Sequence, residues 1–73
     1  MTPDELTQSI GARIRAIRER RNLTQDRLAH ASGLDRTAIG KLERGERCPS
    51  ITTLYRVTTA LEVPLSELFL GIK

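Results

Sequence analysis

An all-α domain is the fold class this sequence predicts, and three observations carry the prediction. Apolar residues recur at three- and four-residue spacing along successive stretches, the stretches are introduced by Thr, Asp or Ser suited to cap a helix, and no segment alternates apolar with polar residues as a half-buried strand would. With 73 residues and 38% hydrophobic composition, and without repeat or linker, the chain predicts one compact domain over residues 1–73, built from five helices around a small core.

The first helix is expected over residues 3–20. Thr2 caps it, Pro3 occupies its first turn, Asp4 and Glu5 face the positive end of the helix dipole, and Leu6, Ile10, Ile14 and Ile17 line one face. Thr24 caps a short second helix, about residues 25–32, which turns Leu28 and Ala29 inward and stops at Gly33, where the left-handed conformation costs little. Asp35 caps a third helix that runs to about Arg44 and ends at Gly45. Its two sides differ: Ile39 and Leu42 share a side with Leu34, whereas Arg36, Thr37, Gly40, Lys41 and Arg44 lie opposite. After the loop "ERCPS", Ser50 caps a fourth helix with Ile51, Leu54, Val57 and Leu61 on one face, and Pro64 opens a fifth, "PLSELFL".

Several classes of function are excluded early. A single cysteine, Cys48, allows no intrachain disulfide, and a single histidine, His30, leaves no Cys/His set for a metal site. Cys48 and His30 also lack the third orienting group and oxyanion donors that a nucleophile and base would need, so no enzyme and no cofactor is expected. The acidic, polar start "MTPDELTQ" and the absence of a membrane-length apolar run predict a cytoplasmic protein with no membrane partner. Tyr55, one of two aromatic residues, suits a partial core or interface position better than a base-stacking platform.

Charge points toward a polyanion. The formal net charge is only +3, but residues 13–27 hold six arginines against Asp26 and Glu19. Arginine makes up nearly all of the 12 basic residues, and its planar fork can grip a phosphate or a guanine edge with two parallel hydrogen bonds. Two short helices joined at Gly33, with small Ala29 at their crossing, Ile39 and Leu42 as anchors and a basic outer face, form the helix-turn-helix pattern over about residues 25–44. In that pattern the second helix enters the DNA major groove.

From "IGARIRAIRERRNLTQDRLAHASGLDRTAIGKLERGERCPSITTLYRVTTALEVPLSEL" the sequence closely resembles the Cro and lambda-repressor-like helix-turn-helix regulators, the XRE family. Its most specific part is "LTQDRLAHASGLDRTAIGKLERGER". Within that family, "GLDRT" followed by "LERGER" is similar to the controller proteins of restriction–modification systems, which often carry an aromatic residue and a Ser where this chain has Ala38 and Gly40. The resemblance implies a compact five-helix lambda-repressor-like domain of bacterial or phage origin, with duplex DNA and a second copy of the chain as partners and RNA polymerase as a further candidate.

Residue roles follow from the same resemblance. Arg36, Thr37 and Lys41 take positions that contact base edges, and Arg47 is a further base-contact candidate. Thr24, Gln25, Arg18 and Arg44 are candidates for the DNA backbone, and Arg18 is also expected to pair with Glu43 and so fix the recognition helix against the first helix. The chemistry agrees, since phosphate contacts position a protein while groove-edge contacts carry sequence information. Arg36 suits guanine O6 and N7, and Thr37 a hydrogen bond or a thymine methyl.

The final segment holds Leu65, Leu68, Phe69, Leu70 and Ile72 within a short span, more than one face of a two-turn helix can turn inward. They predict a dimer interface over about residues 62–73. The leading expectation is therefore a sequence-specific DNA-binding transcriptional regulator, a homodimer on a near-palindromic operator, with restriction–modification genes as the subgroup's target. The alternative is an antitoxin-type helix-turn-helix protein that captures a toxin as well as DNA; only "GIK" follows the last predicted helix, which favours the regulator.

Overall fold

The computed structural model describes residues 1–73. Four α-helices follow one another, α1 (Pro3–Arg20), α2 (Gln25–Ser32), α3 (Arg36–Glu43) and α4 (Ile51–Ala60), and a short 3₁₀ turn (Leu65–Phe69) closes the chain. No strand is present. Each α-helix begins on a side-chain cap: Thr2, Thr24, Asp35 and Ser50 accept from the amides of Glu5, Arg27, Ala38 and Thr53. At the first of these the Glu5 carboxylate also accepts from the Thr2 amide, completing a capping box.

The helix ends are equally uniform. Asn22, Gly33, Gly45 and Glu62 all adopt left-handed backbone, and after each the next amide donates to a carbonyl five residues back: Leu23 to Arg18, Leu34 to Ala29, Glu46 to Lys41 and Val63 to Thr58. Glycine is absent from two of these four positions, so the turns there rest on Asn and, less usually, on Glu.

The core is a single cluster: Ile10, Ile14 and Ile17 from α1, Leu28 and Ala29 from α2, Ile39 and Leu42 from α3, Leu54 and Val57 from α4, then Leu61 and Leu68. Full burial of each large aliphatic side chain contributes roughly 1.5–3 kcal/mol. Every buried side-chain nitrogen and oxygen has a hydrogen-bond partner.

The chain's last element departs from expectation. It is a five-residue 3₁₀ turn rather than a fifth α-helix, because so short a segment after Pro64 cannot nucleate α-helix on its own and its carbonyls find an outside donor. Arg13 of α1 donates from Nη1 to the Glu67 carbonyl and from Nη2 to the Leu70 carbonyl, 3.0 Å each. The three-residue repeat turns Leu65 and Leu68 to the same side. Leu68 is therefore fully buried in the core and not available to a partner, which corrects its assignment to an interface. Leu65, Phe69 and Ile72 are half-buried against that core, and Leu70 is 54% exposed.

One contact places α3. At Gly11, in the middle of α1, an added Cβ would lie 2.3 Å from the Leu42 carbonyl oxygen and 2.8 Å from that of Glu43. Only a residue without a side chain lets the two backbones cross this closely. The sequence expectation placed Ala29 at the crossing of α2 and α3, where it is buried, and made no mention of Gly11, whose signal was a glycine on the buried face of a long helix.

Candidate nucleic-acid interface

The outer side of α3 faces a shallow concavity of about 280 Å³ lined by Gln25, Arg36, Thr37, Gly40 and Arg44, with no apolar side chain among them. The amino-terminal residue of α2 and part of one side of α3 thus meet in one polar surface. The helix dipole helps: the start of α2 offers backbone amides beside Gln25, where an anion is favoured.

Behind this surface lies a buried polar anchor. Arg18 donates from Nε to Glu43 Oε2 at 2.6 Å and from Nη2 to Glu43 Oε1 at 3.0 Å, a two-point grip, while its Nη1 donates to the Leu23 carbonyl at 2.8 Å. Glu43 Oε1 also accepts from the Gln25 side-chain amide at 3.0 Å. The hydrogen bonds to Glu43 hold the Arg18 guanidinium above its already high ordinary pKa, so the cation persists throughout the accessible range. One carboxylate at the end of α3 therefore ties α1, α2 and α3 together, and it fixes the orientation of Gln25.

This arrangement corrects one assignment. Arg18 is buried and its guanidinium is committed to Glu43 and Leu23, so it cannot also serve as a DNA-backbone contact. Gln25 keeps its second amide hydrogen and its oxygen for a ligand, and Thr24 is exposed at the α2 cap.

The remaining candidates separate. Arg36 and Thr37 are exposed at the first turn of α3, and Lys41 is half-buried outside the concavity's lining. Arg47 lies beyond the helix and lines a different hollow with Leu34, Ala38, Leu42, Cys48, Pro49, Ser50 and Thr53. Arg44 folds back over α3, its Nη1 3.0 Å from where a Gly40 side chain would begin, and its Nε donates to Glu46. The absent side chain at Gly40 thus makes room for the Arg44 guanidinium and not only for an approaching ligand. Cys48 and His30 line separate hollows.

The basic stretch 13–27 is not itself the surface. Arg13, Arg18 and Arg21 donate to carbonyls of the protein itself, the last to that of Glu62 at 3.1 Å on the surface, and Arg15 pairs with Glu19 along α1. Asp26, which sequence reading counted only as a charge, lies 3.4 Å from Arg36 Nε.

A family model described as "Helix-turn-helix" matches residues 14–68. Among solved structures, the chain is similar to the restriction–modification controller protein C.AhdI from Aeromonas hydrophila, with 40% identity, a TM-score of 0.84, and coverage of 89% of this chain and 97% of that one. It is 36% identical to the control protein C.SmaI of Serratia marcescens over 64 residues, 88% of this chain and 76% of that protein. It is also 32% identical to the HTH-type transcriptional regulator SutR of Escherichia coli K12, where the alignment spans 86% of this chain but only 35% of the relative. No helix is long and apolar enough to cross a membrane.

Proposed function

This chain belongs to the XRE-type helix-turn-helix family of DNA-binding transcriptional regulators, and from that premise we propose that it acts in the cytoplasm as a homodimer reading a near-palindromic operator that controls restriction–modification genes. The observation that carries the reading is the all-polar concavity of Gln25, Arg36, Thr37, Gly40 and Arg44, set on a recognition helix anchored from behind by Arg18 and Glu43. Arg36 and Thr37 read base edges, with Lys41 and Arg47 beside them, while Thr24, Gln25 and Arg44 hold the DNA backbone. The likeness to controller proteins of similar length supports the subgroup.

The dimer rests on exposed apolar surface: Leu70, rimmed by half-buried Leu65, Phe69 and Ile72. Ile51 and Tyr55 on α4, 61% and 62% exposed, are the next candidates. Selection of bound duplexes from a random pool tests the reading. It should enrich two inverted half-sites whose centres lie about one DNA turn, 34 Å, apart. Enrichment of a lone half-site, or of no sequence, would remove it. Leu70→Asp should shift the protein toward monomer in sedimentation and weaken operator binding at low protein concentration; an unchanged dimer would move the interface to α4.

A further inference from the structure

Both arginines that border the concavity carry a carboxylate beside Nε, Arg44 through a hydrogen bond and Arg36 through an ion pair. Arg36 presents its Nε to Asp26 Oδ1 at 3.4 Å, and Arg44 presents its Nε to Glu46 Oε2. No group of the protein accepts a hydrogen bond from Nη1 or Nη2 of Arg36, whose ion pair is the contact at Nε. Asp26 follows Gln25 on the exposed side of the first turn of α2, and Arg36 opens α3, so the pair bridges the two helices of the motif. Both side chains remain well exposed, 68% for Arg36 and 74% for Asp26. A surface pair of this kind adds little to folding, which leaves orientation as its principal effect.

We propose that Asp26 is a specificity-determining positioning residue: it holds Arg36 by Nε so that the two Nη groups point outward as a preformed fork for a base edge. The inference rests on the DNA-reading face proposed above. A free arginine side chain collapses onto the nearest phosphate of any sequence, and nonspecific binding is almost wholly such contacts. An arginine held at Nε loses less rotamer freedom when it meets O6 and N7 of a guanine, which needs the Nη pair and the fork geometry. The same carboxylate repels passing phosphates. The repulsion acts on every duplex alike, whereas the preformed fork favours only the matched one, so the carboxylate alters discrimination in a way that a simple change of net charge does not.

The test uses Asp26→Asn, Asp26→Glu and Arg36→Ala, alone and with Asp26→Asn combined with Arg36→Ala. Binding is measured against a random-sequence duplex and against the duplex enriched by selection. Asp26→Asn should weaken the enriched duplex roughly three- to fivefold and tighten the random one by a similar factor, with the loss confined to the base pair that Arg36→Ala also affects. Asp26→Glu should recover part of the discrimination. In the Arg36→Ala background, Asp26→Asn should no longer weaken the enriched duplex, and the thermal midpoint should stay unchanged throughout. If Asp26→Asn tightens both duplexes equally, the residue acts as charge alone and the inference fails while the reading face stands. If Arg36→Ala leaves base preference intact, the base-reading assignment and this inference fall together.

Discussion

Arg18 and Arg36 are the same amino acid in the same small domain, and they have opposite fates. Arg18 is buried, grips Glu43 at two points and spends its last nitrogen on the Leu23 carbonyl. Arg36 is open to solvent and touches only Asp26, through Nε. The contrast extends to whole regions. On α1 and at its C-cap three arginines are spent on the protein itself: Arg13 holds the closing turn, Arg18 the recognition helix, and the exposed Arg21 the turn after α4. On α3, Arg36 and Arg44 stay on the surface. A guanidinium becomes structural where unsatisfied carbonyls or a buried carboxylate come within reach, and remains available to a ligand where only exposed surface acids do. Charge density along the chain cannot tell these cases apart.

The sharpest break of this contrast is Arg18→Ala. Glu43 would be left buried without its cation, and stability should fall by about 3 to 5 kcal/mol, read by chemical denaturation. A double-mutant cycle with Glu43→Gln should be strongly non-additive. Additivity would mean that the two side chains contribute independently.

Arg36→Ala should do the reverse. Stability should stay within roughly 0.5 kcal/mol of the parent, while discrimination at one base pair per half-site drops by about 1 to 3 kcal/mol and weak, salt-sensitive binding persists. Titrations of matched and mismatched duplexes at two salt concentrations separate these quantities. Between the two stands Arg13→Ala, which frees the Glu67 and Leu70 carbonyls to water and should cost about 1 to 2 kcal/mol of stability. Faster amide exchange confined to residues 65–72 would locate the loss; uniform change along the chain would refute the clasp.

The smallest effect is acidic. Hydrogen bonds from the Thr2 amide and hydroxyl lower the Glu5 carboxyl below its ordinary 4.5, and the Arg44 guanidinium does the same for Glu46. Both groups bind protons less readily folded than unfolded, so their contribution is present above about pH 4.5 and is lost as pH falls through the depressed values. Glu5→Gln and Glu46→Gln should each slightly flatten the fall of the thermal midpoint below that pH. No flattening in either variant would remove these two contacts from the acid response.

What was legible in the sequence was local. Thr2, Thr24, Asp35 and Ser50 each cap an amide three residues away, so the four helix starts could be read from neighbours in the chain. The polar side of α3 followed from its 3.6-residue period. What escaped was distant. Arg13 reaches partners 54 and 57 residues along the chain, and Arg21 one that is 41 away. No spacing rule announces that these arginines bond to the protein's own carbonyls. Leu68 illustrates the same limit: an apolar excess is visible in sequence, but which member the core takes depends on whether the segment winds as α-helix or 3₁₀ turn. The Arg18–Glu43 pair was expected from family resemblance, which carries three-dimensional information that spacing lacks.

Gly11 leaves α3 no freedom to slide. Its backbone rests against the Leu42 and Glu43 carbonyls with no room for even a methyl group, and the Arg18 grip closes the same end of the helix. A probe that cannot yield passes the work of adjustment to whatever it touches. Duplexes whose steps kink or unstack easily, pyrimidine followed by purine, will conform at lower cost than stiff tracts. On the proposed operator, part of the selectivity of such a surface should then be exercised at base pairs no side chain reaches, through the elasticity of the double helix.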